Sequence, residues 1–334
     1  MPALTLGYKA SAEQFHPQRL LDLAVAAESA GFDSVWTSDH FQPWRHTDGH
    51  APNALVWLGA ATQATHRVTL GTSVLTPSFR YNPAVVAQAF ATLSCLAPGR
   101  IILGVGTGES LNEVPVGIEW PDQSERFARL REAVTLIGRL WREERLDFEG
   151  TYYRTNTATV YDRPDVPPPV YIAASGPAAA RLAGRLGDGL ICTSGKGAEL
   201  YTETLLPAVA EGAEKAGRGA SGIARMIEMK VSFDPDLERA MEDTKAWAAL
   251  ALSGEQKMGV HDALEMEALA KEAEPYAHRR WLVSADVDEH LEQIATYVAY
   301  GFDHLVFHFP GEDQEAAIAR YGEVILPRLR ARFG

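Results

Sequence analysis

Residues Thr69–Asn112 read TLGTSVLTPSFRYNPAVVAQAFATLSCLAPGRIILGVGTGESLN. Two apolar runs, Val68–Val74 and Ile101–Val105, read as buried parallel strands. Between them, Pro83–Leu96 reads as a helix that begins after Asn82 and stops before Pro98-Gly99. Each strand then passes into small polar residues. Thr72, Ser73 and Thr76 follow the first; Gly106, Thr107, Gly108 and Glu109 follow the second. Strand, helix and strand in this order make the unit of a parallel α/β fold, whose ligands bind just beyond the strand C-termini. Glu109, a lone carboxylate among glycines at such a place, is a candidate for chemistry.

Gly104, Gly106 and Gly108 give G-x-G-x-G, but the third glycine of a dinucleotide fingerprint would fall on position 109, which is Glu. Pro115 also interrupts any long helix directly after it. The signal for a nicotinamide fold is weak, and a tight turn after a buried strand accounts for the glycines equally well.

Outward from this stretch the same alternation continues. Leu4–Lys9 reads as a strand, Pro17–Ala30 as an amphipathic helix stopped by Gly31, and Ser34–Thr37 as a strand ending in Ser38, Asp39 and His40. Asn53–Thr65 reads as the next helix and Gln123–Glu143 as a long one. Phe148, Tyr152 and Tyr153 around Gly150 suggest a small hairpin within Leu146–Val160, closed by Pro167-Pro168-Pro169. Val170–Ala173, Leu190–Thr193, Met226–Phe233 and His304–Phe309 complete the strands. Pro177–Leu186, Glu199–Gly217, Asp236–Leu250, Val287–Tyr300 and Glu315–Leu329 complete the helices. Ser253–His278 carries no strand signal. Eight strand candidates alternating with helices predict an α/β fold, a single (β/α)8 TIM barrel over residues 1–334, with insertions at about 146–168 and 253–278.

Composition agrees with one large core: the chain has 334 residues, of which 46% are hydrophobic. A formal charge of -13 argues against a nucleic-acid partner, which wants a basic field. No run is long and apolar enough to span a bilayer, and no early segment resembles a signal peptide, so a cytoplasmic protein without a membrane partner is expected. The two cysteines, Cys95 and Cys192, lack metal-ligand spacing and read as buried small apolar groups. No metal is expected: His46 and His50 lie near His40, but without HExxH or a spaced acidic ligand.

In a barrel the loops after the strands meet on one face. They bring Glu13, then Asp39, His40 and Trp44, then Ser73, Val74 and Thr76, then Thr107, Glu109 and Asn112. Ser175-Gly176, Thr193 and Lys196 follow, and the late chain adds Lys257 and Arg280. His40 is the best general base, since imidazole titrates near operating pH and Asp39 precedes it; a hydrogen-bonded structural histidine is the plainer alternative. Glu109 is its partner acid from another loop. Trp44, between Pro43 and Arg45, is either a packing residue or a ligand-facing ring. Lys196, in Ser194-Gly195-Lys196-Gly197, suits a cation reaching a phosphate. Lys257 and Arg280 read on their own as solvated surface charges.

These residues sit in motifs that resemble a known family. GYKASAEQF at 7–15, SDHFQPWRH at 38–46, LGTSVLTPSFRYNPAVVAQAFATLSCL at 70–96, LGVGTGESLNEV at 103–114 and ICTSGKG at 191–197 closely resemble the F420-dependent glucose-6-phosphate dehydrogenases. RRWLVSADVDEH at 279–290 and LVFHFPG at 305–311 extend the likeness to the C-terminus. That family belongs to the bacterial luciferase-like group of flavin and deazaflavin barrels. The resemblance implies coenzyme F420 as cofactor, a sugar 6-phosphate as substrate, and a homodimer. The implied reaction moves a hydride from sugar C1 to the deazaflavin C5 and leaves a 6-phospho-lactone. His40 would take the C1 hydroxyl proton, with Trp44 beside the reacting centre and Glu109 near N1 of the ring. Asp39, Ser73, Val74, Thr76, Gly106, Thr107, Asn112, Ser175, Gly176 and Thr193 would line the cofactor, behind which the Ser73-Val74 peptide is expected to be cis. Lys196, Lys257 and Arg280 would grip the phosphate, a locally basic pocket within an acidic protein.

Two departures bear on substrate choice. Where the family has His after the insertion lysine, this chain has Met258, with the nearest histidine at His261. Some mechanisms give that His a proton relay with Glu13. Ser175-Gly176 also stands where a double glycine is common. The loss of an imidazole donor predicts breadth from glucose 6-phosphate toward fructose or mannose 6-phosphate, unless His261 or a water fills the gap. The alternatives are an F420 or FMN oxidoreductase of the same group acting on an unphosphorylated substrate, and a non-catalytic barrel that captures a flavin-like ligand.

Overall fold

The computed structural model describes residues 4–334. Its strands, in chain order, are β1 (Thr5–Ala10), β2 (Ser34–Thr37), β3 (Thr69–Thr72), β4 (Ile101–Val105), β5 (Leu146–Glu149), β6 (Arg154–Ala158), β7 (Val170–Ala173), β8 (Gly189–Thr193), β9 (Ala224–Phe233), β10 (Leu282–Ser284) and β11 (His304–His308). Eight of them pair in parallel in the order β9, β11, β1, β2, β3, β4, β7, β8, and β8 pairs back to β9. The sheet is therefore closed, a (β/α)8 barrel as the alternation predicted. β5 and β6 form the expected antiparallel hairpin, set apart from the barrel.

Two layers of core explain why strands and helices alternate. Residues such as Leu6, Tyr8, Val35, Leu70 and Leu103 face outward and bury against the helices. Their neighbours one position along face the barrel axis, because strand side chains alternate faces. Trp36, Ile102, Tyr171, Ile191, Met226 and Val306 meet there as one inner layer. The layer is filled by two large rings, and glycines make room for them. A Cβ on Gly71 would lie 2.6 Å from the Trp36 ring. Beneath Trp36, Ser34 accepts the indole N–H at 3.0 Å and contacts His304 at 2.8 Å.

The helices that set the site are α1 (Pro17–Ser29), α2 (Ala54–Ala64), α3 (Pro83–Leu96), α4 (Ser110–Glu113), α5 (Gln123–Leu140) and α6 (Pro177–Leu186). The starts of α2 and α3 follow from side-chain caps. Asn53 accepts from the Val56 N–H and Asn82 from the Ala84 N–H, each ending a loop that leaves the barrel mouth. α1 ends at Gly31, whose φ of 96° favours glycine.

Several expected elements are corrected. The strand read as Val68–Val74 ends at Thr72. The chain bulges at Ser73-Val74, whose peptide is cis as expected, and rejoins the sheet at Leu75, which bridges Val105. The helix read as Gln123–Glu143 ends at Leu140, and the one read as Asp236–Leu250 is helical only over Leu237–Asp243 before tightening into 3₁₀ turns. Leu282–Ser284, not among the expected strands, pairs with the far end of β9. The stretch 253–278 contains the helices Gly254–Lys257 and Ala263–Ala270 with their own small core around Val260 and Met266. Cys192 is buried, but Cys95 is exposed. It follows the inward Leu93 and Ser94 on α3, and one more residue of helical rotation carries it to the outer face.

Candidate active site

The C-terminal ends of the strands open into a cavity of about 370 Å³. Its wall includes Glu13, Asp39, His40, Trp44, Ser73, Val74, Thr76, Gly106, Thr107, Glu109, Asn112, Ser175 and Thr193. All were singled out in the sequence, and the C-terminal ends of six different strands and the loops after them bring them together. Gly176, Lys196, Lys257 and Arg280 stand outside this wall.

The centre is His40. Its Nδ1 lies 3.0 Å from the Gln42 carbonyl, which can only accept, so the proton of the neutral ring sits on Nδ1. Nε2 is then a free lone pair. It faces two carboxylates, Glu13 at 3.3 Å and Glu109 at 3.9 Å. A proton taken up at Nε2 is therefore received between two negative charges. The loop is clamped from the side: Asn112 Oδ1, on α4, accepts from the backbone N–H of Phe41 and Gln42 at 2.8 and 3.3 Å. Trp44 packs its ring 5.5 Å from that of His40.

Glu13 is buried and Glu109 is half-exposed, and this separates them. Burial opposes ionisation of Glu13. The charge of His40 once it is protonated, that of Lys9, and a 2.5 Å hydrogen bond from the Ser38 hydroxyl outweigh it and hold the carboxyl below its usual range. Glu13 is thus the fixed anion beside His40 Nε2.

Asp39, the neighbour of His40 in sequence, does not take that role. Asp39 instead turns to the Arg80 guanidinium at 2.6 Å and to the Tyr81 hydroxyl at 3.1 Å. Arg80 also donates to Glu113 and to the Asp39 carbonyl. This buried group ties the loop after β2 to that after β3. Arg80 was not singled out, because nothing in the sequence separates it from a surface charge.

The cations form a second group beside the cavity. Arg280 donates to the carbonyls of Ser194 and Gly195, both at 2.8 Å. Lys257 lies 5.2 Å from the centre of the Trp44 ring. Burial lowers the pKa of Lys196, and the charges of Arg280 and Lys230 lower it further. Burial likewise lowers Lys257; Glu109 opposes the shift, while Arg280, Lys196 and Lys230 add to it. Like charges that depress one another are what an anion would relieve. Met258 is 77% exposed and His261 is exposed, so neither supplies a donor to the cavity wall.

Sequence reasoning missed the cavity floor. Lys9, Glu228, Lys230 and His308 are buried there, on the inner faces of β1, β9 and β11. A signal existed: Glu228 and Lys230 interrupt an otherwise apolar strand at a spacing of two, which puts both on one face. Attention to the loops alone passed over it.

The donor set fits a flat ring with an anionic tail. On one side Gly106 leaves space that a Cβ would fill, 2.6 Å from Val74 Cγ2. On the other, no side chain caps the N-terminus of α6 at Gly176, and a Cβ there would meet nothing within 4 Å. Free backbone N–H groups at a helix start suit an anionic group. Among the described residues no group of three or more His, Cys, Asp or Glu side chains is placed to hold a metal. No helix among them is long and apolar enough to cross a membrane.

A closed parallel barrel with a histidine and two carboxylates at its mouth defines an α/β barrel of the enzyme type, and its sequence places it more closely. The profile of the luciferase-like monooxygenase family matches residues 4–304, and the chain belongs to that family. It is 65% identical over 331 residues to the F420-dependent glucose-6-phosphate dehydrogenase of Beutenbergia cavernae, covering 98% of each chain. It is 64% identical to the protein of the same name from Nakamurella multipartita, covering 100% of this chain and 98% of that one. Among solved structures, an F420-dependent secondary alcohol dehydrogenase in complex with an F420-acetone adduct aligns with a TM-score of 0.92 at 35% identity, over 97% of this chain and 98% of that one.

Proposed function

We propose that this chain is an F420-dependent sugar-6-phosphate dehydrogenase that converts glucose 6-phosphate to 6-phosphogluconolactone. The observation that carries the reading is the pairing of a base with an anion site: His40 Nε2 faces Glu13 and Glu109 on the cavity wall, and cations gather beside it. The relatives' shared name points the same way.

Asp39, Ser73, Val74, Thr76, Gly106, Thr107, Asn112, Ser175, Gly176 and Thr193 would hold coenzyme F420, which when bound supplies the carbon that accepts a hydride from the sugar. Lys196, Lys257 and Arg280 bind the phosphate and so fix the far end of the sugar. His40 takes the C1 hydroxyl proton at Nε2, and Glu13, beside the same nitrogen, stabilises the imidazolium that forms. Glu109, the more exposed carboxylate, is free to exchange a proton with solvent. Trp44 closes one side of the reacting centre. With Met258 turned to solvent, the sugar hydroxyls meet one donor fewer, which favours breadth toward fructose and mannose 6-phosphates. Mixing the protein with F420 and glucose 6-phosphate tests the reading: the cofactor should bleach with formation of the lactone. Bleaching with a simple secondary alcohol but not with the sugar phosphate would replace it.

We also propose a homodimer and a cytoplasmic location. The outer faces of α2 and α3 expose Val56, Val85 and Leu96, a surface that a second copy would cover. Both cysteines are unpaired thiols, which suits a reducing compartment.

A further inference from the structure

Beyond the charge that Lys9 sets near Glu13 and Lys230 near the cations, the buried ions on the cavity floor have no part in the chemistry above, and ions are costly to bury. Glu228 is their hub. Its Oε1 accepts from Lys230 Nζ at 3.0 Å, and its Oε2 lies 3.2 Å from Lys9 Nζ. The Ser73 hydroxyl donates to the same Oε2 at 3.2 Å. Lys9 Nζ makes a second, shorter bond of 2.6 Å to the Ser73 carbonyl. Ser73 is thus gripped at two atoms, by a cation and by that cation's own counter-ion.

The grip is placed where the sheet gives none. β3 ends at Thr72, and the chain leaves the sheet at Ser73-Val74 before Leu75 returns to it. Ser73 N–H donates to Thr37, but its carbonyl turns to Lys9 rather than to a neighbouring strand. The bulged pair forms part of the cavity wall, with Val74 Cγ2 close to Gly106.

We propose that Lys9 and Glu228 are positioning residues for the cofactor: as one buried ion pair they fix the Ser73-Val74 shelf against which the ring of F420 rests. Lys230 is the other arm of the same carboxylate and faces elsewhere. Its backbone N–H donates to the Ser194 hydroxyl at 2.9 Å, and the Ser194 carbonyl accepts from Arg280. Lys9 thus serves the cofactor shelf, while the Lys230 ammonium acts by charge on the cationic group, where it lowers the pKa of Lys196 and of Lys257.

The inference rests on the F420 reading, and the test separates the two. The full chain and its Lys9→Met and Lys230→Met variants are titrated with F420 by fluorescence, and the KM for glucose 6-phosphate is measured at saturating F420. Lys9→Met leaves one carboxylate and one ammonium on the floor, a neutral pair that permits folding. Its Kd for F420 should rise about tenfold or more, the loss expected for a hydrogen bond to a charged group. Its KM for the sugar phosphate should stay within about twofold of the parent. Lys230→Met should show the opposite split. An unchanged Kd in a folded Lys9→Met protein would overturn the proposal, as would equal weakening by both variants. Should Lys9→Met not fold, Lys9→Gln, which keeps an N–H donor on a shorter arm, should fold and still raise the Kd; an unchanged Kd would overturn the proposal equally. Failure of the parent chain to bind F420 would overturn the cofactor reading itself.

Discussion

At the scale of single residues, the site works by giving similar groups different surroundings. Glu13 and Glu109 face the same imidazole nitrogen, one buried and the other half-exposed. His40→Ala should lower the rate of F420 reduction about 10²–10⁴-fold, while F420 affinity, read by fluorescence, stays nearly unchanged. Loss of affinity without loss of rate would assign His40 to binding. The floor carries a pH signature. Burial opposes ionisation of Glu228, but Lys9 and Lys230 override it and hold the carboxyl well below 4.5. The unfolded chain takes up that proton first. The stabilisation is therefore complete above the unfolded pKa and is lost as pH falls through the lower folded value. Below about pH 5 the Tm of Glu228→Gln should fall less steeply than that of the parent. Parallel slopes would mean that Glu228 does not stabilise the fold through its charge. Most of the wall was legible in the sequence because small polar residues follow strand ends. The pairing of Glu13 rather than Asp39 with His40 was not, because it depends on how two loops fold over each other.

At the scale of elements, the barrel's inner layer decides where the strands can sit. Trp36 is buried against Gly71, and the same cross-section holds Tyr171 and Ile191. Gly71→Ala should destabilise the protein by about 1–3 kcal/mol, since the added methyl lands on the indole ring and the close-packed layer cannot yield. Urea unfolding measures this, and a change within error would show that the layer has slack. The ends of the elements divide between legible and hidden. α3 begins after Asn82 and ends at Leu96 as read, because cap and breaker residues mark both ends. β3 ended earlier than its apolar run, because Val74 looks like a strand residue and nothing local reports the bulge. β10 is three residues long and exists only because β9 continues far enough to pair with it. Such an element is set by tertiary contact and leaves no local pattern.

At the scale of the whole molecule, the net charge of -13 and the cationic group describe different places, one the molecule at large and the other the edge of the cavity. The acidic exterior discourages anionic polymers, while a local group of cations suits a small anion. The apolar outer face of α2 and α3 leads to a separate expectation. Sedimentation should give a species of twice the chain mass, and Val85→Asp should shift it to the monomer. A monomer in the parent chain would remove the dimer.

Steady-state reduction of F420 by glucose 6-phosphate and by free glucose measures whether the base and the cations act on one substrate. Lys196, Lys257 and Arg280 have no anion to compensate when the phosphate is missing, and the sugar loses its anchor. The account predicts that kcat/KM for glucose 6-phosphate exceeds that for free glucose by about 10³-fold or more. Equal values for the two would contradict it.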